Sequence, residues 1–195
     1  MQFTLARAVA LFAIGAVAVA ALPAAAQTIA GKAAEAETLA KAGKFADALV
    51  ALDAAADILW EKSPLACRRI LWVADKASGF GAYNPRETNV YKSGETMLAY
   101  AEPIGYGWRK SGDIWHIDMV GDLVIRSADG AELFRKDDFG AFAIASRARN
   151  REFMLNLTVT LSGVSPGNYV AETVLRDKVS GKEGTPCRLP FVIAP

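Results

Sequence analysis

His116 is the only histidine in the chain, so any Ser-His or Cys-His nucleophilic machinery has to run through it. It stands in the run Ile114-Trp115-His116-Ile117-Asp118-Met119. On an extended strand His116 and Asp118 share a face while Met119 turns away, so adjacent sequence does not build a His-Met copper pair. Glu102, Asp113, Asp118, Asp122, Asp137 and Asp138 are the carboxylates available for acid–base work. Asp137-Asp138, just before Phe139, reads more simply as a turn. The chain has neither a Gly-x-Ser-x-Gly elbow nor an Asp-x-Asp-x-Asp-Gly calcium loop. One histidine and two cysteines are too few for a multi-ligand zinc site or an iron–sulfur cluster. The two cysteines do not form a Cys-x-x-Cys pair, and no cofactor is expected.

Binding chemistry has better candidates. Arg147, Arg149 and Arg151 form the one basic cluster, in a connection between two strand-like runs. It reads as a solvated loop that blunts a sheet edge, or as a contact for an anion or acidic partner. Two aromatic stretches are flanked by glycine. One carries Phe80 and Tyr83, the other Tyr106 and Trp108. Such loop aromatics either pack locally or serve as recognition anchors.

The chain that must position these residues has 195 residues, 52% of them hydrophobic and 22% charged. That is enough apolar material for a sizeable core. Lys and Arg number 22 against 21 Asp and Glu, which excludes the electrostatic footprint of a general nucleic-acid binder. Met1–Arg7 carries one positive charge, and Ala8–Leu22 is an uncharged apolar run of about 15 residues, short for a membrane span. Pro23 and Ala24-Ala25-Ala26 follow, the small-residue pattern that signal peptidase accepts. Residues 1–26 therefore read as a bacterial signal peptide cleaved before Gln27. The mature chain is expected in the periplasm or secreted, with no transmembrane span. There the Asn156-Leu157-Thr158 sequon carries no meaning.

Residues 27–62 read as a helical hairpin divided at Gly43. Phe45, Ala48, Leu49, Leu52, Ala55, Ala56 and Leu59 recur at 3-4 spacing, with Asp47, Asp53 and Asp57 on the other face. The stripe of Phe45, Leu49, Leu52, Leu59 and Trp60 is expected to dock this hairpin on the rest of the molecule. Residues 63–195 switch to a period of two. Phe153, Leu155, Leu157, Val159 and Leu161 alternate with Asn156, Thr158 and Thr160. Further runs are read near Arg69–Ala74, Thr88–Tyr91, Thr96–Glu102, Trp115–Arg126, Ala131–Lys136, Phe139–Ala145, Tyr169–Asp177 and Leu189–Ile193. Gly121 suggests a bulge, and Asp129-Gly130 and Ser180-Gly181 suggest hairpin turns. Short strands at this density make the chain mainly β, with a sandwich after the N-terminal αα-hairpin.

Two resemblances sharpen this. Ala36, Leu39, Gly43, Phe45, Ala48, Leu49, Ala55 and Pro64 resemble the pattern of a single tetratricopeptide repeat, without its first-helix Trp. Leu161 to Tyr169, with the two strands that follow, resembles the tyrosine-corner approach of bacterial immunoglobulin-like and fibronectin-like sandwiches. In such domains part of the first strand runs parallel to the last. Cys67 and Cys187 each lie just ahead of a strand, and that arrangement would bring them level. The resemblance thus implies a Cys67–Cys187 disulfide in an oxidising compartment. Two independent thiols and a redox-active pair are the alternatives. The family's core Trp is assigned to Trp115.

The reading is an exported, non-catalytic interaction or ligand-binding protein, an accessory subunit of an envelope assembly. Its partner would be another envelope protein, met through the hairpin or through the aromatic loops. The competing readings are an extracytoplasmic enzyme using His116 and nearby carboxylates, and a purely structural envelope protein. A deep pocket joining His116 to two carboxylates favours the enzyme; a broad exposed aromatic patch favours the binder. Intact-mass measurement of periplasmic material should show a chain beginning at Gln27. A full-length chain in the membrane fraction would contradict both cleavage and location.

Overall fold

The computed structural model describes residues 27–195, so the signal-peptide reading lies outside the described residues. Thr28 caps the first helix, its hydroxyl accepting from the Gly31 N–H at 3.0 Å. That helix, α1, runs Ile29–Lys41, and Gly43 turns the chain at φ 75° into α2, Phe45–Lys62. The chain divides into two compact units, and the boundary falls within α2 between Ala55 and Ala56.

In the first unit the helices meet through small side chains. Ala36, Ala48 and Ala51 are buried together, with Leu39 and Ala40 packed beside them. The expected apolar stripe is not the buried side. Phe45, Leu49 and Leu52 are 68%, 63% and 49% exposed, and Leu59 further along α2 is 57% exposed. These four side chains are exposed where a buried stripe was expected. Alanine has no bulk beyond Cβ, so an alanine seam lets two helices approach closely while the larger side chains stand outside it. Among the described residues, no helix is long and apolar enough to cross a membrane.

The second unit is an immunoglobulin-like β-sandwich. Its strands are β1 (Ala66–Val73), β2 (Val90–Tyr91), β3 (Thr96–Ile104), β4 (Arg109–Ser111), β5 (Ile114–Ser127), β6 (Glu132–Ser146), β7 (Leu155–Thr160), β8 (Gly167–Asp177) and β9 (Cys187–Ile193). One sheet has the order β1-β3-β7. The other runs β2-β9-β8-β5, with β4 and β6 both paired to β5. On β7 Leu155, Leu157 and Val159 are buried while Thr158 and Thr160 are exposed, as the period of two requires. The core between the sheets holds Trp72, Tyr91, Met97, Met119, Leu175 and Phe191.

The local signals hold where their chemistry is local. Asp129-Gly130 makes the β5–β6 turn, with Gly130 at φ 93°. Gly121 sits at a register shift, where an added Cβ would come within 3.3 Å of Leu175, Phe142 and Thr173. The Tyr169 hydroxyl donates back to the Ser165 carbonyl at 2.7 Å, the expected corner bond.

Three expectations change. Asp137-Asp138 is no turn; β6 runs through it as a bulge with Asp138 at φ 49°. The Asp138 N–H donates to Asp122 at 2.8 Å, and Arg176 donates to both carboxylates, at 2.6 and 2.7 Å. Trp115 is half-buried on β5, and the core tryptophan is Trp72 of β1, whose indole N–H donates to the Pro190 carbonyl at 2.9 Å. Cys67 and Cys187 do form a disulfide, with Cα atoms 5.7 Å apart, but they are not level ladder partners. Cys67 lies on β1 and Cys187 on β9, so the bond ties one sheet to the other. The parallel pairing to the last strand is made by β2, through Val90 to Val192 and Tyr91 to Ile193.

Glu172 on β8 is buried between two arginines, accepting from Arg126 and Arg188 at 2.8 Å each. Burial works to raise its carboxyl, but the two guanidinium hydrogen bonds and charges outweigh burial and hold it below the usual carboxylate range. A carboxyl depressed in the fold stabilises it above the unfolded value, and that contribution is lost as pH falls through the folded value. Urea unfolding should therefore show stability falling below about pH 4.5. Glu172→Gln should cost about 1 to 3 kcal/mol near neutrality and lessen that acid-side loss. A difference between the two proteins that stays constant from pH 7 to pH 3 would contradict this.

Candidate functional site

The residues of the second glycine-flanked stretch are drawn inward by backbone that only glycine allows. Gly105 has φ 78°, and a Cβ there would lie 2.2 Å from the Pro64 carbonyl oxygen. The Gly107 N–H donates to Asp177 at 2.6 Å; Asp177 also accepts from the Val179 N–H at 2.9 Å and from the Ser180 hydroxyl. Tyr106 is consequently 1% exposed, a core residue and no surface anchor. Burial pushes its phenol pKa up, against the pull of Arg68 and Arg151. Its hydroxyl donates to the Asn150 carbonyl at 2.9 Å, and the Trp108 indole N–H donates to the same oxygen at 3.0 Å.

Trp60, from the last turns of α2, completes this cluster. Its ring stacks on Trp108 at 5.5 Å and meets Tyr106 edge-on at 4.9 Å, while its N–H donates to the Tyr106 carbonyl at 2.8 Å. Of the stripe that was expected to dock, Trp60 is the member that packs. Lys182 fixes the same helix end. Its ammonium donates to the carbonyls of Glu61, Ser63 and Gly105 at 3.1, 2.8 and 2.8 Å. A cation on the last carbonyls of a helix satisfies groups that have no intrahelical partner.

The arginine cluster divides. Arg147 is exposed on the β6–β7 connection. Arg149 lies over Trp108 at 4.5 Å and Trp115 at 5.4 Å, and pairs with Asp57 and Glu61 at 3.0 and 3.2 Å. Arg151 reaches Asp57 at 3.8 Å. Half-buried and paired, Arg149 acts as a local tie more than as a free cation.

The first glycine-flanked stretch divides too. Tyr83 packs on Tyr100 at 4.4 Å, and its hydroxyl accepts from Arg69 at 2.6 Å. Phe80 faces the Arg68 guanidinium at 5.4 Å and lines a crevice of about 420 Å³ with Trp60, Arg149 and Arg151. Tyr106 and Trp108 line a neighbouring crevice of about 260 Å³ with Glu61 and Lys182. Arg149 borders both, so four of the candidate binding residues, Phe80, Trp108, Arg149 and Arg151, share one side of the sandwich. Trp60 and Lys182 belong there as well. Their signal in the sequence was a Trp at a helix end and a Lys just past Ser180-Gly181, neither of which names its partner.

The enzyme reading finds no such convergence. His116 is half-buried on β5, opposite Arg109 of β4 and Ala145 of β6. None of five surface cavities of about 260 to 540 Å³ is lined by His116, Asp113 or Asp118. Among the described residues, no group of three or more His, Cys, Asp or Glu is placed to hold a metal ion.

No protein-family model matches the chain, and no curated protein matches it. Among solved structures it is similar to the PKD domain of an M14-like peptidase from Thermoplasmatales archaeon SCGC AB-540-F20. There the TM-score is 0.37 at 12% identity, over 68% of this chain and 98% of that one. It is similar to the alkylpurine DNA glycosylase AlkC of Pseudomonas fluorescens at TM-score 0.38 and 12% identity, over 74% of this chain and 34% of that one. It is similar to the sporulation control protein Spo0M of Bacillus subtilis at TM-score 0.34 and 14% identity, over 68% of this chain and 50% of that one. The chain spans about a third of the glycosylase and half of the sporulation protein. At these scores the likenesses carry no argument about function.

Proposed function

We propose that this chain is an exported, non-catalytic interaction protein whose tetratricopeptide-like hairpin presents an apolar helical face to another envelope protein. The observation that carries this reading is the exposure of Phe45, Leu49 and Leu52 along one face of α2. Scattered single apolar residues on a surface need no explanation, but three at 4-3 spacing form a seam of the kind that packs helix against helix. Covering side chains that stand half to two-thirds exposed is worth on the order of 1 to 2 kcal/mol each. That is enough to drive association when several are covered together. A short hairpin with one alanine seam has little else to stabilise it, which also favours a covered state. The Cys67–Cys187 bond fits an oxidising compartment, in keeping with export to the periplasm.

Site-specific photo-crosslinking tests the reading. A benzophenone side chain at Leu49 or Leu52 should give a discrete adduct in intact envelopes, and one at Thr88, exposed on the sandwich, should not. Phe45→Glu should abolish the Leu49 adduct while leaving the melting temperature of the purified protein within about 2 °C, since it alters an exposed position. Adducts formed equally from all three positions, or from none, would contradict it.

A further inference from the structure

The sheet β1-β3-β7 ends at β7, while the facing sheet continues past β5 to β6. No strand of that sheet therefore lies beyond β7 to cover the outer half of β6. Lys136 pairs in register with Leu123, and Phe134 with Ile125. Directly paired residues project from the same face of a sheet. Leu123 and Ile125 are buried in the core, so Phe134 and Lys136 also point to the inner side, yet both are exposed. Between this overhang and β7 lies a cavity of about 390 Å³. Its walls are Leu123, Ile125, Phe139, Val159, Leu161 and Val164, with Lys136 on its rim. The Lys136 ammonium sits 5.8 Å from the Phe139 ring, and no carboxylate pairs with it among the described residues.

We infer that this cavity is a binding site for a single-chain aliphatic carboxylate, the chain lying between the sheets and the carboxylate meeting Lys136. The volume suits a small-molecule site. It has room for roughly a dozen methylene-sized groups at about 30 Å³ each, the share a water takes in the liquid. The lining is apolar apart from the cation, Thr160 and Ser162. One positive charge at the rim of an apolar pocket is the complement of one negative charge on an apolar body. An inward-pointing lysine on an edge strand also discourages strand-to-strand association, and that role alone predicts no ligand.

Calorimetric titration of the purified chain with octanoate, decanoate and dodecanoate, each below its micelle concentration, separates the two. The expected result is one saturable site, with affinity rising roughly fourfold per methylene until the cavity is full. Lys136→Met should weaken decanoate about three- to fivefold and leave decanol unchanged. Val164→Trp, or Leu161→Trp if the first variant fails to fold, should abolish both. The proposal is overturned by an absence of saturable binding, by binding that survives both blocking variants, or by a Lys136→Met protein that binds decanoate as before. A dimer built on the free edge of β7 that decanoate does not displace would overturn it equally.

Discussion

The two sheets of the sandwich are unequal in width, three strands against six, so the narrow sheet leaves part of the wide one uncovered. Here the Cys67–Cys187 bond holds β1 against β9, so the sheets are tied on that side. Closing a loop of 120 residues restricts the unfolded chain by an amount worth about 4 to 5 kcal/mol on entropic grounds. Trp72 supports the same side, its ring edge-on to Tyr91 and Phe191 and its N–H on the Pro190 carbonyl. The other side has no such tie. There β6 overhangs β7, and apolar side chains that a facing strand would cover line an open cavity instead. Fold stability and the room for a ligand thus arise at opposite edges of the same pair of sheets.

A second constraint governs the helices. The last turns of α2 belong to the sandwich unit, fixed by Trp60 on Trp108 and by Lys182 on three carbonyls. The earlier turns belong to the first unit, where alanines form the buried seam. The same helix therefore buries Ala48, Ala51 and Ala55, half-buries its one tryptophan, and leaves Phe45, Leu49 and Leu52 in solvent. These three make a contiguous apolar face rather than scattered single residues.

Much of the strand pattern was legible because it depends on neighbours in sequence. The alternation on β7, the Asp129-Gly130 turn and the Tyr169 corner each need only a few adjacent residues. What could not be read depends on distant partners. Asp137-Asp138 has turn chemistry, yet Asp122 and Arg176 from neighbouring strands supply the bonds that keep it inside β6. β4 is three polar residues whose pairing is set by β5. Trp72 and Trp115 both lie on strands, and only the sheet packing decides which enters the core. Tyr106 had the composition of an exposed anchor, but Gly105 lets the chain approach Pro64 so closely that the ring turns inward. An amphipathic stripe declares an apolar face without declaring what covers it. The two candidate binding regions, the Phe80–Trp108–Arg149 side and the β6–β7 cavity, differ in the same way. Residues of the first were visible by type; the second exists only through sheet order.

On the proposed function, the α2 face is bare in the purified protein and covered in the envelope. Carbene footprinting read residue by residue measures both states. Phe45, Leu49 and Leu52 should be labelled strongly in the purified chain and clearly protected in intact envelopes, with Thr88 labelled alike in both. Protection already present in the purified monomer, or labelling undiminished in the envelope, would contradict it.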